Sequence, residues 1–547
     1  MIRSTLSPWR MARLIPAASV AVFIIMLLIG LLVPVYSDEV AWRLQERAGI
    51  DGVDKLFSEQ CGPGTLAMAP WFMMPVRWYS AFFNTAWPDP LAIRLSGVAY
   101  ALVWVVLLLA LIRRVAGDRL RRNHLVMLSC GLMGLGVLPW LLVWSRPEQP
   151  VILATTAAIL IALPPRGKQV LRWWAPVAIL MLGTIAMAYH FKTLVLVPLF
   201  IAAMLTAMPL RRGWIVQVPC VLAMIAMTLA STHYWFGRMA CPGDATMAAE
   251  HASQSLGLQL LTDGGWAMAP LRLLANYNLP AYVAQGAPDI TPMSNWLQPH
   301  LVTKTTQILW TIALILLWLA GFVLAVWGMV AAVIRRRLDA GMVLAWVTLT
   351  GASAWCVGQL VRNSYEASFV LPLLVLTFVL ALSRADLPET LQRALSRIAP
   401  AIGAILPFSA LAIVAIYGPS LIAVSGKGGY LPGQTYSVGL AHYPAIRQQI
   451  ERTAAACGIT PASHPRRLLI DDITYFTFMQ APLPDHKTAV LEPRYSGSLT
   501  DPLAYLGQIH SSGVIVACSA LPPALRARAH ADGPFCCIGP DQWTAPQ

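Results

Sequence analysis

Apolar residues in this chain come in long unbroken runs separated by short polar stretches, not at the two-residue or 3.6-residue periods of half-buried soluble elements. The runs fall at residues 14–34, 91–113, 124–144, 150–164, 173–189, 193–209, 214–235, 306–334, 341–361, 367–383 and 400–424. A run of roughly 20 apolar residues makes a helix long enough to cross about 30 Å of hydrocarbon. The pattern therefore predicts a polytopic α-helical membrane protein with about eleven transmembrane helices over residues 1–425. Two longer segments, 36–90 and 236–303, interrupt it as outer loops. Both mix aromatic residues, methionine and proline with few charges, as in Trp71-Phe-Met-Met-Pro-Val-Arg-Trp-Tyr79 and around Asn276-Tyr277-Asn278. They read as amphipathic helices lying in the membrane interface.

A Gly-rich linker, residues 426–439, ends the apolar pattern. Beyond it, residues 440–547 have the hydropathy of a small soluble domain. His442 to Ala456 is predicted as a helix with Ile446, Ile450 and Ala454 on one face. Arg467–Asp471, Thr488–Leu491 and Gly513–Ala517 are predicted as strands, and Asp501–Ile509 and Pro522–His530 as helices. Strands alternating with helices make this a C-terminal α/β domain. It carries no Gly-rich phosphate fingerprint, so its expected role is contact with an acceptor, a partner or the outer face of the membrane helices.

Composition agrees with the pattern, at 57% hydrophobic and 12% charged residues, against about 25% charged in soluble domains. The net charge of +14 does not point to nucleic acid, because its basic residues sit in short loops between apolar runs. Arg113, Arg114, Arg119, Arg121 and Arg122 form one such group, and Arg335, Arg336 and Arg337 another. This is the positive-inside distribution. The first run follows Arg3, Arg10 and Arg13 and is followed by no small-x-small cleavage site, so it reads as a retained signal anchor. The N-terminus is then cytoplasmic. An odd number of spans puts the C-terminal domain outside, periplasmic in a bacterial inner-membrane protein. Cys130, Cys220 and Cys356 fall in spans; Cys61, Cys241, Cys457, Cys518, Cys536 and Cys537 fall outside, where disulfides persist. A Cys61–Cys241 bridge and one or two bridges within the tail are the candidates, with connectivity open.

Charged residues at the outer ends of spans are few and come in compact groups. They are Asp38 and Glu39 after the first span, Arg146 and Glu148 after the third, His190 and Lys192 after the fifth, and Arg362, Tyr365 and Glu366 after the ninth. Charge close to hydrocarbon is costly, roughly 2.5–3.5 kcal/mol per ionised side chain at the bilayer centre. Solvated helix ends, local salt bridges and snorkelling each account for any one group. Mixed signs at one depth also suit transfer of a group from an anionic lipid carrier. Arg146, Lys192 and Arg362 are candidates to hold a lipid phosphate, and a carboxylate is the candidate general base. No P-loop is present, and none is needed when the donor bond already carries the energy.

The acid pair Asp38-Glu39, the run Asp89-Pro-Leu-Ala-Ile-Arg-Leu95 leading into the second span, and Ser145-Arg-Pro-Glu148 together resemble the GT-C superfamily of polyprenyl-phosphate-dependent glycosyltransferases. The last of these is similar to a segment of the membrane arabinofuranosyltransferases. The resemblance covers roughly residues 10–425 and implies inverting transfer from a lipid monophosphate sugar, with Asp38 as general base. Glu39 would orient the acceptor or support Asp38. Arg146, Lys192 and Arg362 would engage the donor phosphate, with Glu148 placing Arg146 or a sugar hydroxyl. Some members need a divalent cation, and no ligand spacing here matches one. The aromatic–acid–Lys–Pro-Pro segment of the aminoarabinose and protein-mannosyl transferases is absent, with Cys61-Gly-Pro-Gly-Thr65 in its place. The acceptor, whether glycan, lipid or protein, stays open. A transporter or lipid flippase, an O-antigen ligase or polymerase, and a non-catalytic assembly protein are the alternatives.

Overall fold

The computed structural model describes residues 8–33, 35, 39–40, 43, 55–58, 62–64, 90–134, 136–164, 172–239, 243–246, 248–249, 267, 269, 301–336, 339–358, 367–383, 387–426, 443–482, 484–491, 496 and 499–543. Helices lie on the apolar runs. They are α1 (Pro8–Ile29), α2 (Pro90–Val115), α3 (Arg119–Met133), α4 (Leu138–Leu142), α5 (Glu148–Ala162), α6 (Trp174–Tyr189), α7 (Val197–Thr206), α8 (Leu210–Met239), α9 (Leu301–Ile334), α10 (Ala340–Gly358), α11 (Ala367–Leu382) and α12 (Glu389–Gly426). Among the described residues five stretches are long and apolar enough to cross a membrane: Leu14–Leu32, Pro90–Val115, Leu210–His233, Ala340–Val357 and Glu389–Pro419. Their apolar side chains also point outward: Val106, Leu229 and Leu411 are each more than 60% exposed. A helix that is apolar all round belongs in lipid, and the chain is a polytopic helical membrane protein.

Several boundaries differ from the sequence reading. The run at 124–144 is two helices, broken between Met133 and Leu138, where Gly136 takes a positive φ of 50° that hydropathy cannot register. The last helix begins at Glu389, well before residue 400, because its first turns are polar and carry an exposed Glu389–Arg393 pair at 3.2 Å. The turn before α7 is a 3-10 segment, Phe191–Leu196. Helices α5, α6 and α7 are short, with 15, 16 and 10 residues. In segment 36–90 the described residues include helical Glu39, Val40 and Arg43 and, where an interfacial helix was expected, two antiparallel strands, β1 (Lys55–Ser58) and β2 (Gly62–Gly64). The sequence of β2, Gly62-Pro-Gly64, does not favour a helix. Most of both outer loops, including Cys61 and Cys241, lies outside the described residues.

The membrane helices pack with α5 against α6 and α2, α12 against α3, α1 against α3, and α10 against α11. Arginines from neighbouring segments close helix ends on the side predicted to be basic. Arg114 donates to Leu163 O (2.9 Å) and Arg121 to Ser383 O (3.2 Å), satisfying carbonyls that a helix terminus leaves over.

The C-terminal residues form a five-stranded sheet of β3 (Leu469–Ile470), β4 (Asp485–His486), β5 (Val514–Ala517), β6 (His530–Asp532) and β7 (Phe535–Ile538), in the order β4-β3-β5-β7-β6. β3 runs parallel to β4 and β5, and β7 is antiparallel to β5 and β6. Alternate residues face two apolar layers. Ile470, Ile515 and Cys537 face one layer with Ile450 and Ala454 of helix α13 (Tyr443–Ala456). Leu469, Val514, Val516 and Cys536 face the other with Leu503 and Leu506. The expected strand at 488–491 is instead a helix, Lys487–Leu491, preceded by the two-residue β4; so short an apolar run does not distinguish the two. The expected helix at 522–530 stops at Arg526, and His530 opens a hairpin that turns through Gly533 at φ +61°. Disulfides Cys457–Cys537 and Cys518–Cys536 fasten β7 to helix α13 and to the end of β5. Cys130, Cys220 and Cys356 are buried.

One close approach fixes how the third predicted span meets α2. A Cβ added at Gly97 would stand 1.8 Å from the Val143 carbonyl oxygen, a backbone atom that cannot swing aside. Gly97→Ala is expected to destabilise the protein by at least about 1–3 kcal/mol. Gly321→Ala, whose new methyl would meet only Leu128 at 3.9 Å, should be neutral or gain up to about 1 kcal/mol of helix propensity. Thermal unfolding of the two variants in one detergent gives the comparison.

Candidate functional site

Three loops meet over the first turns of α2. Glu39, wholly buried, accepts from Arg94 Nη2 at 2.6 Å and, on its other oxygen, from the backbone N–H of Ser145 at 2.6 Å. Arg94, equally buried, donates through Nη1 to Val143 O at 2.9 Å. Arg43 makes a second tie, donating through Nη2 to Ser96 Oγ (2.5 Å) and Ser145 Oγ (2.8 Å), which are 2.7 Å from each other. The segment after α1 and the segment after α4 are thus both fastened to α2. Gln149 adds a third connection, donating to Gly97 O at 3.0 Å and to Leu142 O.

From Ser145 the chain passes directly into a second charged group. Arg146 faces Glu148 with a forked contact, Nε to Oε2 and Nη2 to Oε1, each 3.2 Å. Lys192 Nζ reaches the same carboxylate at 2.5 Å. All three side chains are buried. Glu148 opens α5, where the positive end of the helix dipole favours a carboxylate. Lys192 is delivered by the 3-10 turn after α6, which His190 caps by accepting from Lys192 N–H on Nδ1 at 3.0 Å. Burial first, and then the Lys192 charge, hold the His190 imidazole well below its ordinary range, with Glu148 pulling the other way. His190 therefore serves as a neutral acceptor. The Lys192 ammonium also lies 4.9 Å from the ring centre of Trp355 and 5.6 Å from that of Phe369, close enough for a cation–π attraction.

Beside this group an apolar groove runs between α1, α2, α5 and α11, lined among others by Phe23, Leu27, Tyr100, Trp104, Gln149 and Pro372. At its edge the hydroxyls of Tyr100 and Tyr189 are 3.2 Å apart. Among the described residues no three His, Cys, Asp or Glu side chains gather as a metal site.

Of the residues singled out in the sequence, Glu39, Arg146, Glu148, His190 and Lys192 come together in one continuous network. Asp38, Arg362, Tyr365 and Glu366 lie outside the described residues. Arg94, Arg43 and Ser96 were not singled out. For Arg94 a signal existed: a cation one turn inside an apolar helix is costly unless it has a partner. For Arg43 and Ser96 there was none.

No family model matches the chain, and no curated protein matches it in sequence. Among solved structures it is similar to ArnT from Cupriavidus metallidurans bound to undecaprenyl phosphate, at 12% identity and a TM-score of 0.49, covering 98% of this chain and 99% of that one. It is also similar to the Archaeoglobus fulgidus oligosaccharyltransferase in its apo form, at 10% identity and a TM-score of 0.44, over 92% of this chain and 70% of that one. A third is AglB from Archaeoglobus fulgidus in complex with an inhibitory peptide and a dolichol-phosphate, at 12% identity and a TM-score of 0.39, over 96% of this chain and 75% of that one.

The Glu39–Arg94 pair makes a direct prediction. Arg94→Gln leaves a buried carboxylate facing a neutral group and is expected to cost about 3–5 kcal/mol. Adding Glu39→Gln should recover most of that loss, because an amide pair keeps a hydrogen bond without buried charge. A double-mutant cycle on thermal unfolding in detergent checks it; additive losses would mean that the two side chains do not interact.

Proposed function

We propose that this protein is an integral membrane glycosyltransferase, moving a sugar from a polyprenyl-phosphate donor to a hydroxyl acceptor on the outer face of the inner membrane. One observation carries the reading. Glu148 holds Arg146 and Lys192 on a single carboxylate, and that group is one peptide bond from Ser145, to which Glu39 is tied. A carboxylate that fixes two cations makes an anion site whose dipoles need little reorganisation when charge develops.

The chemistry follows from that arrangement. Asp38 takes the proton from the acceptor hydroxyl. The acceptor oxygen attacks the anomeric carbon from the face opposite the phosphate, forming the new glycosidic bond with inversion. The bond from that carbon to the phosphate oxygen breaks, and the lipid phosphate leaves with its electron pair into the field of Arg146 and Lys192. Glu39 is engaged by Arg94 and Ser145 and acts as a positioning residue for the segment that carries Asp38. Arg362, Tyr365 and Glu366 would join from the loop between α10 and α11. This is the kind of transfer that the GT-C resemblance of residues 38–39, 89–95 and 145–148 implies.

A transporter would carry ionisable groups near the bilayer midplane at broken helices. The break between α3 and α4 carries none, since residues 134–137 are Gly, Leu, Gly and Val. The charged residues gather instead where helices end.

Purified protein in nanodiscs with polyprenyl-phosphate sugars tests the proposal. Asp38→Asn should lower transfer by about 10²–10⁴-fold at unchanged abundance and unchanged donor binding. Arg146→Ala and Lys192→Ala should instead raise the donor KM, each lost charged hydrogen bond being worth about 1.5–3 kcal/mol. Full transfer by Asp38→Asn would overturn the assignment. Mass spectrometry of surface glycans from a deletion strain then identifies sugar and acceptor.

A further inference from the structure

The segment that carries the acid pair hangs between two hydrophobic cores. Val33, just past α1, is buried among the membrane helices. Val35 and Val40, on either side of residues 38–39, are buried elsewhere. They belong, with Ile93 beside Arg94, to the apolar layer of the C-terminal sheet that contains Tyr443, Ile470, Tyr475 and Phe476. The polar ties of Glu39 hold this segment to α2; the valines hold it to the sheet.

The sheet side of that contact is rigid. Tyr475–Phe478 form a helical turn directly after the carboxyl end of β3. Asp471 locks the turn, accepting on Oδ1 from the N–H groups of Ile473 (3.0 Å) and Thr474 (2.9 Å), and on Oδ2 from Ala517 N–H at the end of β5 (2.6 Å). Thr474 Oγ1 donates to Ile515 O at 2.8 Å. Within the layer Phe476 packs edge-on against Tyr443 and Tyr475, at 5.6 and 5.1 Å between ring centres, and Tyr443 Oη is 2.9 Å from Thr477 Oγ1. An aromatic turn pinned to two strands and one helix makes a stiff backing for a loop.

We infer that the C-terminal sheet is a positioning element of the transfer site: its locked aromatic turn seats Val35 and Val40 and thereby sets where Glu39, next in sequence to the proposed base, stands relative to Arg146 and Lys192. This rests on the function proposed above and assigns the sheet a part in catalysis without a reacting group of its own. A misplacement of about 1 Å at a reacting centre can cost about 10²-fold in rate. Loss of the seat should therefore appear in kcat, while donor binding, held by Arg146 and Lys192, changes little.

The test uses the full chain in nanodiscs. Phe476→Ala and Val40→Ala are compared with Phe476→Leu and Val40→Ile by hydrogen exchange of residues 35–43 and by kcat and donor KM. Intact Cys457–Cys537 and Cys518–Cys536 bridges report that the sheet has folded. Both alanine variants should exchange faster over 35–43 and lose about 10- to 100-fold in kcat, with donor KM within about twofold and the larger side chains restoring both. Unchanged exchange, or faster exchange with kcat kept, overturns the inference. Should Phe476→Ala fail to fold, Val40→Ala decides, since it leaves the sheet's own packing intact. If exchange responds while the wild-type chain moves no sugar from any polyprenyl phosphate, the seating contact stands and the proposed transfer falls.

Discussion

Ionised groups buried in a membrane protein need partners, and that requirement organises this structure. Glu39 and Arg94 are both fully buried and 2.6 Å apart. Taking such a pair out of water costs several kcal/mol per ion, which mutual attraction repays only with good geometry and further hydrogen bonds. Both conditions are met here. The second Glu39 oxygen takes the Ser145 N–H, and the second Arg94 nitrogen takes Val143 O. An apolar pair in the same place would pack as well but would not specify which loop lies beside which. The pair selects one arrangement of three chain segments, and the Glu148 group is built on that arrangement.

The same economy of parts appears in packing. Gly97 lets the backbone at Val143 approach α2 closely, Gln149 joins that approach from α5, and Ser96 receives Arg43 from the segment after α1. Several buried polar residues of the bundle meet at this junction, while Gln217 of α8 donates elsewhere to Met204 O and Met208 O. Farther from it the membrane helices meet through Leu, Val, Ala and Met, with hydroxyls returned to their own helix, as Thr155 to Val151 O and Thr348 to Leu344 O.

Much of this was legible in the sequence because membranes penalise charge so heavily. Apolar runs placed the helices, and the few ionisable residues at one set of their ends, Glu39, Arg146, Glu148, His190 and Lys192, proved to be neighbours. What sequence did not show was partnership. Arg94 was visible inside a run already set apart, yet its partner lies 55 positions away, and no local spacing encodes that. The interruption at residues 134–137 is equally silent, since glycine and leucine are as apolar as the helices around them. In the tail, hydropathy marked β5 and helix α13 but mistook the short apolar stretch at 488–491 for a strand. A few apolar residues fit either conformation until a sheet edge accepts or rejects them.

Helices α5, α6 and α7 all have an end at the Glu148 group, and at 1.5 Å per residue they rise only roughly 22, 24 and 15 Å. Hydrocarbon is about 30 Å thick. Each of the three is shorter than that thickness, so buried ion pairs, more than helix length, fix where their ends meet around Glu148.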